Sequence, residues 1–248
     1  MNIDGAVVLV TGANRGLGKA FVRGMLDAGA AKIYAGARNP RELVVADKVV
    51  PLKLDITRGG EVENAAQICS DVTILVNNAG IAHFTPLIGA RSIEAARDEI
   101  AVNYLGTLGM CRSFAALLGK NGGGAIINVL SVASWITVPV SGSYSVSKAA
   151  ELAMTNGIRV ELRSQGTLVV GVHAGYMDTD MGTHTTTAKT APETVVEATL
   201  VAIERGETEV LADERSRDVR RRLCSDPASL DDEMQALWDN DLASRSQS

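Results

Sequence analysis

A short β-branched run, Ala6 to Val10, passes straight into Thr11-Gly12-Ala13-Asn14-Arg15-Gly16-Leu17-Gly18, and the chain leaves that turn in a helical pattern from Gly16 to Ala28. No other stretch constrains the fold as strongly. A strand that enters a glycine turn and leaves as a helix gathers backbone N–H groups and the positive helix end at one point, which suits a pyrophosphate. Side chains at Gly12, Gly16 and Gly18 would block that approach, while Asn14, Arg15 and Leu17 ride in the same turn. The segment reads as a dinucleotide cradle and not as a flexible loop.

The same alternation continues along the chain. Further strand-like runs stand at Ile33 to Gly36, Val49 to Leu54, Thr73 to Val76, Ala125 to Leu130, Leu168 to Val172 and Glu209 to Leu211. Helical patterns lie between them at Glu61 to Cys69, Ser92 to Leu118, Ser145 to Arg163 and Pro192 to Arg205. Continuous apolar strands separated by helices predict an α/β fold, a doubly wound, Rossmann-like, mostly parallel seven-stranded sheet with helices on both faces. With 248 residues, 46% of them hydrophobic, the chain can bury one full core, so a single domain over residues 1–248 is expected, with a frayed tail from residue 239. The charged stretch from Asp213 to Arg222 reads as a solvated helix face, because acidic residues follow it directly.

A net charge of −5 without a basic stripe argues against nucleic acid as a partner. Cys69, Cys111 and Cys224 are odd in number and lack paired spacing, so neither disulfides nor a zinc site is expected. Asp4, with no basic stretch ahead of the first apolar run, marks that run as a strand and not a signal peptide. No apolar stretch reaches the ~20 residues a membrane span needs. These features point to a cytoplasmic protein.

The second strand ends at Gly36-Ala37-Arg38, where an NAD-binding unit carries a carboxylate for the ribose hydroxyls. Ala37 cannot supply one. Arg38, joined by Arg15 of the glycine turn, offers guanidinium forks for a 2′-phosphate, so the expected cofactor is NADP(H). Asp55, with Ile56 beside it, closes the third strand on the same sheet edge. Its carboxylate reads either as a contact to the adenine amino group or as part of a helix N-terminal cap.

Three further segments carry chemistry: Asn77-Asn78-Ala79-Gly80 after the fourth strand, Ser131 after the fifth, and Tyr144-Ser145-Val146-Ser147-Lys148. With the TGxxxGxG turn, their order and spacing mean that the chain, over roughly Gly5 to Leu211, resembles a short-chain dehydrogenase/reductase. The resemblance implies Tyr144 as general acid/base, Lys148 as the group that lowers its pKa and holds the nicotinamide ribose, and Ser131 as the orienter of the substrate oxygen. It also implies Asn103 as the support of a water relay to the lysine. The Asn77-Asn78-Ala79-Gly80 segment would stabilise the sheet beside the cofactor, with Asn78 nearest that role and Ala79 and Gly80 at the cofactor, and Gly175, Met177 and Thr179 would face the nicotinamide. Three features depart from the pattern: Ala174 stands where proline is usual, Leu130 where a second serine often precedes Ser131, and the link after the second strand is short.

Physical chemistry agrees with those roles. A phenol with a pKa of about 10 is almost wholly protonated at neutral pH. A lysine four residues on shares its helix face and would pull that pKa down by about 2, so alcohol oxidation should rise with pH through roughly 7 to 8.5. No metal is expected, since Asp178, Asp180, His173 and His184 lack a ligand spacing. His83, Phe84, Trp135, Val138 and Val140 flank the catalytic segments as candidate walls of an apolar pocket. The expected partner is a small carbonyl or alcohol, and surplus apolar residues on the helices around Ser92 to Leu118 and Ser145 to Leu162 predict a homo-oligomer, dimer or tetramer. A catalytically silent NADP(H)-binding sensor or scaffold is the alternative, since fold alone does not prove activity. An epimerase or dehydratase would need a larger substrate region than the residues after Arg205 provide.

Overall fold

The computed structural model describes residues 1–43, 46–184 and 187–245. Seven strands, β1 (Val7–Thr11), β2 (Lys32–Ala37), β3 (Val49–Lys53), β4 (Ile74–Asn77), β5 (Ala125–Val129), β6 (Leu168–His173) and β7 (Glu209–Leu211), form one sheet in the order β3-β2-β1-β4-β5-β6-β7. Every neighbouring pair is parallel. The strand order reverses between β1 and β4, and that switch point opens the crevice where such sheets bind ligands.

Along β1 the side chains alternate between two cores. Val8 and Val10 pack with α1 (Gly16–Asp27) and α6 (Pro192–Arg205), whereas Leu9 points to the opposite layer with α2 (Gly59–Ile68), α4 (Thr107–Lys120) and α5 (Gly142–Glu161). Both faces are therefore buried, which is why the strands read as unbroken apolar runs.

The expected single helix from Ser92 to Leu118 is built differently. It consists of α3 (Glu94–Glu99), a π-helical stretch Ile100–Gly106, and α4. Widening the turn rotates the faces, so Met110, Cys111, Phe114 and Leu118 are buried while Leu108 and Ala115 are only half-buried. The same stretch turns Asn103 fully inward. Gly106 is required there, since a Cβ would sit 2.8 Å from Ile56 Cγ1.

Beyond β7 the chain forms α7 (Glu214–Ser225) and α8 (Pro227–Arg245). Asp213 caps α7 reciprocally with Ser216. The reading of this region as a solvated face holds for Glu214, Arg217, Arg220 and Arg221, which are exposed. Val219 is completely buried, and with Leu230 and Met234 it forms a third apolar cluster against Val132 and Ile136. Helix α8 contributes Leu230 and Met234 to this cluster and continues as far as Arg245. Among the described residues, no helix is long and apolar enough to cross a membrane.

Candidate active site

The glycine turn lies at the switch point. Gly12 and Gly16 have φ of +65° and +50°, conformations that favour glycine, and a Cβ on Gly18 would lie 2.1 Å from Gly12 O. The turn is tied to the segment after β4. Thr11 Oγ1 accepts hydrogen bonds from the Asn78 and Ala79 amides, each at 3.0 Å, and Asn78 Nδ2 donates to Thr11 O at 2.9 Å. Asn78 and Ala79 therefore brace the turn directly, while Asn77 reaches into the sheet and donates to Asn128 Oδ1 at 2.9 Å.

A cleft of about 490 Å³ runs from this turn to α5. Its walls include Gly12, Asn14, Arg15, Gly16, Leu17, Gly18, Arg38, Asp55, Ile56, Asn78, Ala79, Gly80, Tyr144, Lys148, Met177 and Thr179. Gly175 lies at the root of the loop carrying the last two. Its amide donates to Asp213 Oδ2 at 2.7 Å, so a residue from the C-terminal segment fixes the loop that lacks the usual proline. Thr179 comes down on the glycine turn, with its Cγ2 3.2 Å from where a Gly16 Cβ would be. Arg15 and Asp180 bridge turn and loop at 3.1 Å. A cleft of this volume, with the glycine turn at one end and a buried ammonium at the other, fits a dinucleotide.

Asp55 lines the cleft, but its Oδ1 is already engaged by the Thr57 amide and hydroxyl at 3.0 and 2.7 Å. Burial pushes this carboxyl up, and the Thr57 hydrogen bonds with Arg58 and Arg38 outweigh burial and hold it below the usual carboxylate range. Glu42, which sequence reasoning passed over, also lines the cleft and accepts from Asn14 and Asn39 at 2.8 and 2.7 Å.

Ser131 follows β5 in extended backbone and caps a short 3-10 turn, its Oγ accepting from the Ala133 amide at 3.1 Å. The loop it begins is pinned from behind. His173 Nδ1 is 3.3 Å from Ser131 O, and the His173 ring stacks on Trp135 with centroids 3.7 Å apart. Burial pushes His173 down to about 4, so its ring is neutral at physiological pH.

Helix α5 begins at Gly142, so Tyr144 sits in its first turn and the Ser131 hydroxyl reaches the phenol. Lys148 Nζ lies 6.0 Å from the Tyr144 ring centroid and donates to Val129 O at 2.8 Å. Asn103 reaches the same centre. Its Nδ2 donates to Ser147 Oγ and Ile81 O, each at 2.9 Å, and Gly80 fits between it and the lysine, with a Cβ there 3.2 Å from Asn103 Oδ1 and 3.7 Å from Lys148 Nζ.

The expected fall in the tyrosine pKa is overturned. Burial pushes Tyr144 above its ordinary value, and Lys148 and Ser131 only partly offset this. A smaller upward push comes from one helical turn further on, from a residue that the sequence motifs did not single out. Glu151, fully buried, accepts from Lys148 Nζ at 2.7 Å, and its charge offsets part of the ammonium's pull on the phenol.

Beside the Ser131 loop, a second cavity of about 640 Å³ is lined largely by apolar groups, among them Pro86, Leu87, Trp135, Ile136, Met234 and Trp238. Of the five wall candidates from sequence, only Trp135 lines it. His83 instead stands 3.4 Å from Asp98, and its amide donates to the buried Glu99 at 2.7 Å.

The short chain dehydrogenase family profile matches residues 6–190. A short chain dehydrogenase of Aspergillus terreus is 33% identical over 197 residues, which cover 73% of this chain and 43% of that protein, so the match spans less than half of that relative. The 3-oxoacyl-[acyl-carrier-protein] reductase of Synechocystis is 31% identical over 187 residues, covering 71% of this chain and 75% of that protein. Among solved structures, a short chain dehydrogenase from Burkholderia cenocepacia, crystallised in complex with NADP, superposes with a TM-score of 0.91 at 42% identity, over 94% of this chain and 99% of that one.

Proposed function

The chain belongs to the short-chain dehydrogenase/reductase family, and from that premise we propose that it is an oxidoreductase moving a hydride between NADP(H) and a carbonyl or alcohol carbon, with Tyr144 as general acid/base. The observation that carries this reading is that the glycine turn, Tyr144 and Lys148 line one cleft, with the Ser131 hydroxyl reaching the phenol. Cofactor binding falls to Gly12, Asn14, Arg15, Gly16, Leu17, Gly18, Arg38, Asp55, Ile56, Asn78, Ala79 and Gly80 along the nucleotide, and to Lys148, Gly175, Met177 and Thr179 around the nicotinamide half. The bound dinucleotide supplies or takes up the hydride.

The remaining chemistry belongs to the chain. In reduction, Ser131 Oγ and Tyr144 Oη donate hydrogen bonds to the substrate oxygen, and the tyrosine gives its proton as negative charge develops there. Lys148, held cationic, stabilises the phenolate that remains, and Asn103 braces the helix turn that carries Ser147. The apolar cavity beside Trp135 matches a small apolar substrate. Buried Cys69 and Cys111, whose thiols burial pushes up to about 12, suit a reduced, cytoplasmic setting.

The test is NADPH oxidation against ketones, aldehydes, quinones and β-ketoacyl thioesters, run with wild type and Tyr144→Phe. The substitution should leave NADPH affinity within a few-fold and lower turnover by ~10² or more, whereas Lys148→Met should lower both together. NADPH binding without turnover of any carbonyl would favour the sensor or scaffold reading instead.

A further inference from the structure

One buried carboxylate has no part in the chemistry above. Glu151 stands three residues after Lys148 on the same face of α5, with its side chain 2% exposed and that of Lys148 6% exposed. An uncompensated carboxylate at such depth is costly, and an apolar residue would pack there without that penalty. The helix turn that carries it is tied to the sheet through its main chain. Asn128 of β5 donates to Thr155 Oγ1 at 2.9 Å, and Thr155 donates to the Glu151 carbonyl at 2.8 Å.

An ammonium has three protons to give. Val129 O takes one at 2.8 Å and Glu151 Oε2 another at 2.7 Å, so one remains for the cleft, where Tyr144 and a ribose would meet it. We propose that Glu151 is a positioning residue that orients the Lys148 ammonium and governs proton uptake by Tyr144, an assignment that rests on the oxidoreductase reading above.

The sign of the effect follows from charge. An ionised Glu151 stabilises the cationic lysine and opposes a phenolate on Tyr144. Burial pushes the Glu151 carboxyl up to about 7 although Lys148 pulls it down, so its charge changes near neutrality. The other ionisable groups facing this centre are Glu99 from α3, which also opposes the phenolate, and Cys111 from α4, whose thiol burial and Glu151 keep protonated. His173 on β6 stays neutral above about 4. Glu151 is therefore a charge beside Lys148 that answers to pH near neutrality.

The experiment is the pH profile of alcohol oxidation with saturating NADP+. Glu151→Gln keeps an acceptor for Lys148 and removes the charge, so the alkaline limb should move down by about one pH unit, while Glu151→Asp should leave it near the wild-type position. NADPH affinity should stay within a few-fold in both. A Glu151→Gln limb that coincides with wild type, in a variant that still binds NADPH, overturns the assignment. Carbon-13 NMR of glutamate carboxyls in the wild type tests it without any variant: one should titrate near neutrality and respond to Lys148→Met, and ordinary carboxylate values throughout would count against it. A wild type with no turnover refutes the oxidoreductase reading beneath the proposal, whereas turnover with an unmoved limb refutes the role of Glu151 alone.

Discussion

Cofactor choice turns on single side chains around the glycine turn. Arg15 bridges to Asp180 with 69% and 72% of the two side chains exposed, a pairing weak enough for a phosphate to displace. Arg38 follows β2 at the cleft with the carboxylates of Glu42 and Asp55 nearby. Two charge-assisted contacts to a 2′-phosphate should favour NADPH over NADH by on the order of 10². Glu42 works against that preference. Hydrogen bonds from Asn39 and then Asn14 hold its carboxyl below the usual range, so it stays anionic beside the expected phosphate. Arg38→Ala should therefore weaken NADPH by about tenfold and leave NADH nearly unchanged, whereas Glu42→Gln should tighten NADPH selectively. Fluorescence titration of both cofactors decides the matter, and NADH binding as tightly as NADPH in the wild type sinks the assignment.

At the scale of elements, α5 presents an exposed stripe of Val146, Ala149, Ala153, Gly157 and Val160, and Leu105 stands 52% exposed just ahead of α4. Such a stripe of small apolar residues lets a second helix approach closely, and twofold pairing through α4 and α5 is the assembly we expect. A Cβ on Gly157 meets nothing within 4 Å, so Gly157→Arg should leave the monomer folded and break the assembly. Light scattering at micromolar concentration should show a dimer or tetramer for wild type and a smaller species for the variant, and a monomeric wild type would refute the pairing. The strands, the glycine turn and the YxxxK helix were legible because period and spacing alone determine them. The π-helical stretch around Asn103 was not, since steps of three and four read alike on either side of an inserted residue. Glu151 looked like any helical glutamate, for burial of its side of α5 depends on β5 and α4, which are distant in sequence. The bond from Asp213 to Gly175 spans 38 residues and follows no local pattern, so the brace on the nicotinamide loop was equally hidden.

For the molecule as a whole, the two buried groups that flank the catalytic cluster make opposite demands on stability. His173 is pushed down by burial from 6.5 to about 4, so between those values the unfolded chain takes up a proton that the folded chain refuses. Its contribution is present above 6.5 and is lost as pH falls toward 4. Glu151 is pushed up by burial from 4.5 to about 7, so in that window the folded chain keeps a proton that the unfolded chain releases, and stability falls as pH rises. Across the shared window of about 4.5 to 6.5 each group changes stability by roughly 2 to 3 kcal/mol with opposite sign, and the wild-type profile should be nearly flat there. Carboxyls held low by their partners, such as Asp55, Asp71 and Glu233, act mainly below that window. Removing either buried group should expose the other. Urea unfolding of Glu151→Gln should show stability climbing between pH 4.5 and 6.5 as His173 sheds its unfolded-state proton, whereas His173→Gln should show stability declining over the same range. Identical pH slopes for wild type and both variants would mean that neither group differs in protonation between the folded and unfolded chain, and would remove the physical basis for a titrating Glu151 beside Lys148.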